Sequence, residues 1–276
     1  MNKLLNAGFA RLKKDKPFWI GIIFMAFIGA FTPIMRYFDA KSSGFDLPLD
    51  TCIFAYALLM VIVSSVFCSL YLGTEYNDGI IRNKLVVGHS RFAVYFSNLI
   101  VCSVSTILFQ LVYLVVALPI GLPLLGLDMK VGFLLFMFFC ILMMSLAYVA
   151  IFTIIGMLCQ NKAVVAVICV LGTFIMLFVG IFINTKLSEP EFHEAYEYVN
   201  DAGEIEYVES EKNPYYLGGT KRKIYSFAYD FIPGCQTVQL SSMPQDSVDV
   251  LPAYAAVVIL LTTAAGVAVF KKKDIK

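Results

Sequence analysis

The chain has 276 residues, of which 59% are hydrophobic and 15% are charged, whereas an average globular domain has about 25% charged residues. A mean hydropathy of +0.79 excludes a soluble globular protein, and a net charge of +1 without an extended basic stripe excludes a nucleic-acid-binding surface. No charged residue occurs in residues 92–127, 131–161 or 163–185. Because a soluble helix needs a polar face, these runs predict helices that lie in lipid.

The first predicted element is an amphipathic helix in residues 1–17. Leu5, Phe9 and Leu12 recur at helical spacing among five basic residues, which favours a helix on the inner membrane surface before Pro17 turns the chain into the bilayer. A solvated basic tail is the alternative. The basic stretch before an apolar run also resembles a signal peptide, but no small-residue cleavage site follows, so the run is interpreted as a retained first helix.

Six apolar segments are long enough to cross a bilayer, since about 20 helical residues span about 30 Å of hydrocarbon. The third apolar run is too long for one straight helix, and Pro119 and Pro123 are predicted to end it. Only four residues separate the fourth and fifth segments, which predicts an antiparallel hairpin. The predicted crossings are residues 18–38, 51–73, 92–118, 131–158, 163–184 and 251–270.

Lysine and arginine in the short flanks predict that both termini lie inside. In this orientation thirteen basic residues lie in the inner flanks, and the short outer loops hold only Arg36, Lys41 and Lys130. Sixteen of the twenty acidic residues then lie outside. This distribution is consistent with an even number of crossings.

The outer segment, residues 185–250, changes character along its length. Its first half carries nine acidic residues between Glu189 and Glu211, and a solvated charged surface is favoured over a calcium site because no EF-hand spacing appears. Its second half is rich in tyrosine and phenylalanine, which suit the membrane interface. Short helices that dip into the outer leaflet before Pro233 are predicted.

Candidate catalytic and metal-binding residues are absent from the sequence pattern. No CxxC spacing occurs, and five of the seven cysteines lie within or at the ends of apolar runs as small apolar residues. Cys52 and Cys235 both fall on the predicted outer side, so a disulfide between them stays open. His89 is placed inside and His193 outside, which leaves no His or carboxylate pair within the crossings for an intramembrane protease.

The inner segment, residues 75–91, joins the second and third crossings. Asp78 is predicted to cap a short helix in which Ile80, Ile81 and Leu85 form an apolar arc. Lys84 lies inside that arc, as it would in a helix docked against a partner. The residues alone support docking and an ordinary inner loop with topology-setting charges equally.

This segment resembles the permease subunits of type-2 ATP-binding-cassette exporters. In that family an acidic residue closes the second helix and is followed by Gly, a basic residue, Leu, Gly and a Ser-Arg pair that opens the third helix. The chain matches the pattern in order and spacing with Glu75, Gly79, Arg82, Leu85, Gly88, Ser90 and Arg91. The chain departs from the family at Ile80, where relatives often have Thr.

The resemblance implies that residues 75–91 contain a coupling helix that rests in a cleft of an ATPase subunit. It implies polar contacts with that subunit for Glu75, Arg82, Lys84 and Arg91, apolar contacts for Ile81 and Leu85, and permissive bends at Gly79 and Gly88. The chain lacks a G-x-x-x-x-G-K-[ST] loop, so ATP and Mg²⁺ are expected on a separate ATPase subunit and no cofactor on this chain. One six-helix chain forms half of a permease, which implies a second copy or a similar partner.

Small and polar residues on the second and third crossings are candidates for a substrate path or for close helix packing, with packing favoured. These are Ser64, Ser65, Asn98, Thr106 and Gln110. No charge is predicted near the bilayer midplane, where an ion-coupled carrier keeps one. Energy from ATP and a peptide, lipid or drug-like substrate are therefore expected.

The sequence thus predicts an all-α, multi-pass protein of the cell membrane, of the bacterial cytoplasmic type, that is not itself an enzyme. Its predicted parts are an amphipathic helix (1–17), crossings one to five (18–184) with the coupling helix (75–91), an extracytoplasmic segment (185–250), and crossing six with a cytoplasmic tail (251–276). The expected function is the permease subunit of an ATP-driven exporter. An ATP-independent sensor or scaffold, whose outer segment binds a ligand, is the alternative.

Overall fold

The computed structural model describes residues 1–199, 205–242 and 248–274. This part of the chain is mostly helical, and its short strands lie between the last two long helices. The elements are α1 (Asn2–Leu12), α2 (Lys16–Ser43), α3 (Asp50–Ile53), α4 (Tyr56–Asn77), α5 (Ile80–Val86), α6 (Arg91–Leu125), α7 (Val131–Leu158), α8 (Lys162–Ser188), β1 (Phe192–His193), β2 (Tyr196–Val199), β3 (Ile205–Val208), β4 (Glu211–Lys212), α9 (Gly219–Phe231), α10 (Pro233–Ser241) and α11 (Leu251–Lys272).

Six helical segments of the described chain are long and apolar enough to cross a membrane, which confirms the predicted number of crossings. They are α2, α3 with α4, α6, α7, α8 and α11. Side-chain contacts join the ends of α1, α4, α6, α7 and α11 at the end of the bundle where α5 packs on α4 and α6. We call this the inner end and the opposite end the outer end, according to the orientation predicted from the basic residues.

The third crossing is longer than predicted, because α6 continues through Pro119 and Pro123 to Leu125. A proline removes one backbone hydrogen bond, but neighbouring contacts can hold the helix across the gap. Such contacts exist here, since a Cβ built on Gly121 would lie 2.5 Å from the Leu49 side chain. The helix ends instead at Gly126, whose φ of 71° few other residues adopt.

The N-terminal helix is present, but its buried stripe differs from the predicted one. Leu4, Gly8 and Leu12 are buried, whereas Leu5 and Phe9 are only half-buried. A Cβ on Gly8 would lie 2.8 Å from a Val101 methyl carbon, so α1 packs closely on α6. Part of the face that was expected to lie on lipid is therefore covered by the protein.

The outer segment contains a β-hairpin, in which β1 pairs with β4 and β2 with β3. It continues into two helices, α9 and α10, on either side of Ile232. The predicted short helices are thus present. The one that is buried in the bundle, α10, begins at Pro233, whereas the prediction placed the helices before Pro233. Residues Pro233 to Leu240 of α10 are all buried.

Helix α10 packs into the bundle through two glycines. A Cβ on Gly234 would lie 2.2 Å from the carbonyl oxygen of Met176, and one on Gly180 would lie 2.6 Å from the carbonyl oxygen of Gly234. Met176 is twelve residues from Ser188, the end of α8, which corresponds to about 18 Å of helix. Helix α10 therefore re-enters the bundle well below its outer end.

The cysteines form no disulfide in the part of the chain that the structure describes. Cys52 and Cys235 are free thiols. The pairing left open by the sequence is not made.

Candidate functional site

The inner end is organised around the short helix α5, which two turns position. Gly79 has a φ of +66°, a conformation that glycine adopts without the steric cost of a Cβ atom, and it starts α5 after α4 ends. Ser90 begins α6, where its Oγ accepts a hydrogen bond from the Ala93 amide at 3.2 Å. The predicted cap by Asp78 is wrong, because α5 has no side-chain cap bond and Asp78 ends α4.

Glu75 is the centre of a buried polar cluster. Its side chain is 1% exposed, and its Oε1 lies 2.7 Å from Lys84 Nζ and 2.9 Å from Arg11 Nη1. The Arg11 contact is an ion pair whose angles fall outside hydrogen-bond geometry. Asn98 Nδ2 donates to Oε2 at 2.7 Å. A buried carboxylate is costly without partners, so these contacts fix α1, α4, α5 and α6 to one another.

The contacts of Arg11 extend this cluster to the N-terminal helix. Arg11 Nη2 donates to the carbonyl oxygen of Tyr71 at 3.1 Å, and the guanidinium lies 4.5 Å from the centre of the Tyr71 ring. Tyr71 OH in turn donates to the Gly8 carbonyl at 3.3 Å. We define the Glu75 cluster as Glu75, Lys84, Asn98, Arg11 and Tyr71.

The two faces of α5 have opposite surroundings. Ile81 is fully buried, and Lys84 and Leu85 are half-buried against the chain. On the other face Arg82 and Asn83 are exposed, as are Val86 (78%) and the following Val87 (77%). We call Arg82, Asn83, Val86 and Val87 the exposed α5 face. Two adjacent valines exposed beside a cation indicate a surface suited to a protein partner.

The structure separates the residues that the resemblance grouped as partner contacts. Arg82 lies on the exposed α5 face, but Glu75, Ile81 and Lys84 point into the chain and Leu85 is half-covered. The apolar arc was visible in the sequence, but the elements that pack against α5, namely α4 and α6, were not. The side chains that are exposed for direct contact with a partner subunit are those of Arg82, Asn83, Val86 and Val87. Of these four residues, the sequence analysis named only Arg82.

Arg91 binds the end of the last crossing. Its Nη1 donates to the Phe270 carbonyl at 2.9 Å and also to the Lys273 carbonyl. These acceptors are at the C-terminal end of α11, where backbone carbonyls lack partners within the helix. A cation there also interacts favourably with the helix dipole. Arg91 thus joins the start of α6 to the end of α11.

Lys273 makes the corresponding contact with the end of α7. Its Nζ donates to the carbonyl oxygen of Leu158 and, at 3.3 Å, to Tyr76 OH. Tyr76 OH itself donates to the Met157 carbonyl at 2.6 Å. Burial lowers the pKa of the Lys273 ammonium below its ordinary value. We call Arg91, Lys273 and Tyr76 the tail latch, because they hold the C-terminal tail against α4, α6 and α7.

The five candidate path residues are all buried within one chain. Ser64 and Thr106 are 3.4 Å apart, Ser65 donates to the Ile62 carbonyl, and Gln110 Nε2 donates to the Phe138 carbonyl at 2.8 Å. Asn98 belongs to the Glu75 cluster. These contacts lie within α4 or between neighbouring helices of the chain, as in helix packing, and a role in a substrate path stays a prediction.

An open cleft of about 660 Å³ lies at the inner end beside α4. Asn77, Gln160, Asn161 and Lys162 contribute its polar lining. Asn161 Oδ1 accepts hydrogen bonds from two amides and caps α8. Among the described residues no group of three or more His, Cys, Asp or Glu could hold a metal ion.

Comparison with known proteins matches the chain to a family model. The family model described as "ABC-2 family transporter protein" matches residues 4–182, which is more than half of the chain. The match begins in α1, includes the Glu75 cluster and the exposed α5 face, and ends in α8. No curated protein matches the chain at a significant level.

Proposed function

Because the chain belongs to the ABC-2 family of transporter proteins, we propose that this membrane permease is half of an ATP-driven exporter. A separate ATPase subunit binds the exposed α5 face at the inner end. ATP and Mg²⁺ are held by that subunit, since the chain has no phosphate-binding G-x-x-x-x-G-K-[ST] loop. A second copy or a similar permease completes the pathway. The membrane is the cell membrane, with α5 on the cytoplasmic side.

The observation that carries this proposal is the contrast between the two faces of α5. A helix of seven residues has too few hydrogen bonds to be stable alone, and here its inner face is held by Ile81 and Lys84. Its other face presents Val86 and Val87 to solvent, where exposed apolar area gains free energy when a partner covers it. Arg82 supplies a charge that gives such a contact orientation.

The Glu75 cluster provides a route from the ATPase to the membrane helices. Lys84 on α5 is ion-paired with Glu75 on α4, and Asn98 on α6 binds the same carboxylate. Displacing α5 alone would separate a buried charge from its partner, at a cost of about 3–5 kcal/mol. The four helices of the cluster therefore move as a unit when α5 moves, and the tail latch extends that unit to α11.

The substrate proposed is a peptide, lipid or drug-like molecule with apolar surface. The long uncharged runs of α6, α7 and α8 support this class, since a path for ions or protons requires ionisable groups within the membrane. An amphipathic molecule needs no such groups. Its path lies between the two permease halves.

Co-purification tests the docking step. The tagged chain is isolated from its native membrane, and the proteins that accompany it are identified by mass spectrometry. We expect an ATPase of the ATP-binding-cassette type, and we expect R82E and V86D each to lower its recovery about tenfold or more, as loss of a central interface contact does. K41E, a charge reversal on an exposed outer lysine, is the matched control.

ATP hydrolysis in proteoliposomes tests the transmission step separately. E75Q leaves the residues of the exposed α5 face unchanged, so the ATPase should still bind E75Q protein that size-exclusion chromatography shows to be folded, but substrate should no longer stimulate its hydrolysis. If R82E and V86D fold normally and retain the ATPase, docking through α5 is refuted. If no ATPase accompanies the unmodified chain and the outer segment binds a ligand instead, the ATP-independent sensor is the better explanation.

A further inference from the structure

Helix α9 in the outer segment carries an exposed apolar stripe between two lysines. Ile224 and Phe227 are 61% and 55% exposed and lie on one face of the helix. At about 100° per residue, Lys221 and Lys223 fall on opposite sides of this stripe. Both lysines are exposed. An apolar stripe bordered by lysines is typical of a helix that lies in a membrane interface.

The opposite face of α9 is anchored to the end of a membrane helix. Arg222 Nη2 donates to the Leu187 carbonyl at 3.1 Å, and Tyr229 OH lies 2.8 Å from Asn184 Oδ1. Asn184 and Leu187 belong to the last turns of α8. The anchored face therefore fixes both the depth of α9 and the direction in which Ile224 and Phe227 point.

A second anchor lies at the start of α11. The rings of Phe227 and Phe231 each have their centres 5.8 Å from the centre of the Tyr254 ring. Tyr254 is in the first turn of α11. Helix α9 thus lies across the outer ends of two membrane helices, which is the depth of lipid headgroups.

The charge along the chain separates α9 from the acidic hairpin before it. Residues 212–229 contain three lysines and one arginine and no acidic residue. Arg222 is engaged with Leu187 and with the Tyr216 ring, 5.3 Å away. The one carboxylate of α9, Asp230, comes two turns after Lys223 and has contacts of its own. Lys221 and Lys223 are therefore the cations of α9 that face outward beside the stripe.

We propose that α9 is a binding site for anionic phospholipid in the outer leaflet. Ile224 and Phe227 contact the acyl chains, and the ammonium groups of Lys221 and Lys223 bind the headgroup phosphate. Lysine suits this geometry because its apolar stem follows the stripe while its charge reaches the headgroup. Free phosphate would leave the apolar side chains of the stripe uncovered. A lipid covers them with its acyl chains and also binds both lysines through its headgroup. The proposal does not depend on the transport function.

Native mass spectrometry of the full chain tests the headgroup contact. The protein is reconstituted in nanodiscs of phosphatidylcholine with phosphatidylglycerol, and the phosphatidylglycerol retained after extraction is measured. Each lysine near an anionic surface contributes about fivefold to binding, so K221Q/K223Q should lower retention about 25-fold. K41Q/K130Q removes two exposed outer lysines elsewhere and should change nothing.

Fluorescence tests the depth of the stripe. The chain has one tryptophan, Trp19, near the inner end, so F227W adds a single outer probe that is measured as a difference from the parent. Lipids brominated near the headgroup should quench the added emission. Unquenched emission, or equal retention of phosphatidylglycerol by K221Q/K223Q and K41Q/K130Q, would overturn the proposal. The proposal would also be overturned if K221Q/K223Q retained phosphatidylglycerol as the parent does but no longer formed the proposed dimer of two permease chains. In that case the stripe would contact a second copy of the chain.

Discussion

The inner segment 75–91 and the outer segment 185–250 both connect consecutive membrane helices, but they use charge in opposite ways. At the inner end Glu75 is buried, and Lys84 and Arg11 are its partners. In the outer hairpin Glu191, Glu197, Glu209 and Glu211 are exposed, although acidic residues are much denser there. The density of charge along the sequence therefore does not show which charges hold the structure together.

Burial explains the difference. An exposed carboxylate is solvated equally well in the folded and unfolded chain, so its removal costs little. Folding buries Glu75 together with the cations of Arg11 and Lys84. Removing one of these charges leaves the others without a counterion in a poorly solvated place, which is costly. The short inner segment is therefore the more sensitive to substitution, although it has fewer charges.

The strongest test of this comparison is E75Q against E211Q. Glutamine preserves the size of the side chain but removes the negative charge, so Arg11 and Lys84 lose their counterion. We expect E75Q to lower the free energy of unfolding by about 3–5 kcal/mol. E211Q, in an exposed strand, should change it by less than about 0.5 kcal/mol. Thermal unfolding in detergent measures both, and similar midpoints for the two variants would contradict the comparison.

The outer segment is not uniform, because α10 is as buried as the inner cluster. G234A places a Cβ against the backbone carbonyl of Met176, and a backbone atom cannot move away as a flexible side chain can. We expect G234A to destabilise the chain by about 3 kcal/mol. It should also increase the proteolytic sensitivity of the outer segment.

Gly172 is the matched control for Gly234. It lies in α8, and a Cβ built on it would meet no atom within 4 Å. G172A should therefore be neutral or should stabilise the helix by up to about 1 kcal/mol. If G234A unfolds at the same temperature as G172A, α10 does not pack on α8 as described.

The crossings were predictable from the sequence because apolar runs of about 20 residues have one physical solution in lipid, a membrane-spanning helix. Their ends were less predictable. Pro119 and Pro123 predicted the end of the third crossing, but Leu49 packs on Gly121 from a loop distant in sequence. The helix boundary was decided by a tertiary contact, which local sequence does not contain.

The position of the candidate site in the sequence was predictable, but which of its side chains are exposed was not. The pattern from Glu75 to Arg91 located α5, yet its apolar arc did not reveal that α5 packs on α4 and α6. The tail latch was missed because Arg91 and Lys273 are 182 residues apart and act on backbone carbonyls, which leave no mark in the sequence. Arg11 was predicted only as a basic residue of the N-terminal surface helix and of the inner flank, because its partners Tyr71 and Glu75 are distant in sequence.

Arg91 gives the next test, with a smaller expected effect. R91Q removes the charge that binds the Phe270 and Lys273 carbonyls but keeps a polar side chain with N–H donors. We expect a loss of about 1–2 kcal/mol in the free energy of unfolding. The tail after α11 should become more accessible to protease. R82Q, an identical substitution on the exposed α5 face, should change neither.

The smallest expected effect concerns the pH dependence contributed by Lys273. Burial lowers the pKa of its ammonium in the folded chain, so between that lowered pKa and the ordinary value the unfolded chain holds a proton that the folded chain has released. The free energy of unfolding contributed by Lys273 must therefore increase as the pH rises through this window. The thermal unfolding midpoints of the wild type and of K273M are measured from about pH 7 to about pH 10. The difference, wild type minus K273M, should increase with pH. K272M, on an exposed lysine of the same tail, is the matched control, and a wild-type minus K273M difference that falls or stays constant would show that Lys273 is not buried in the latch.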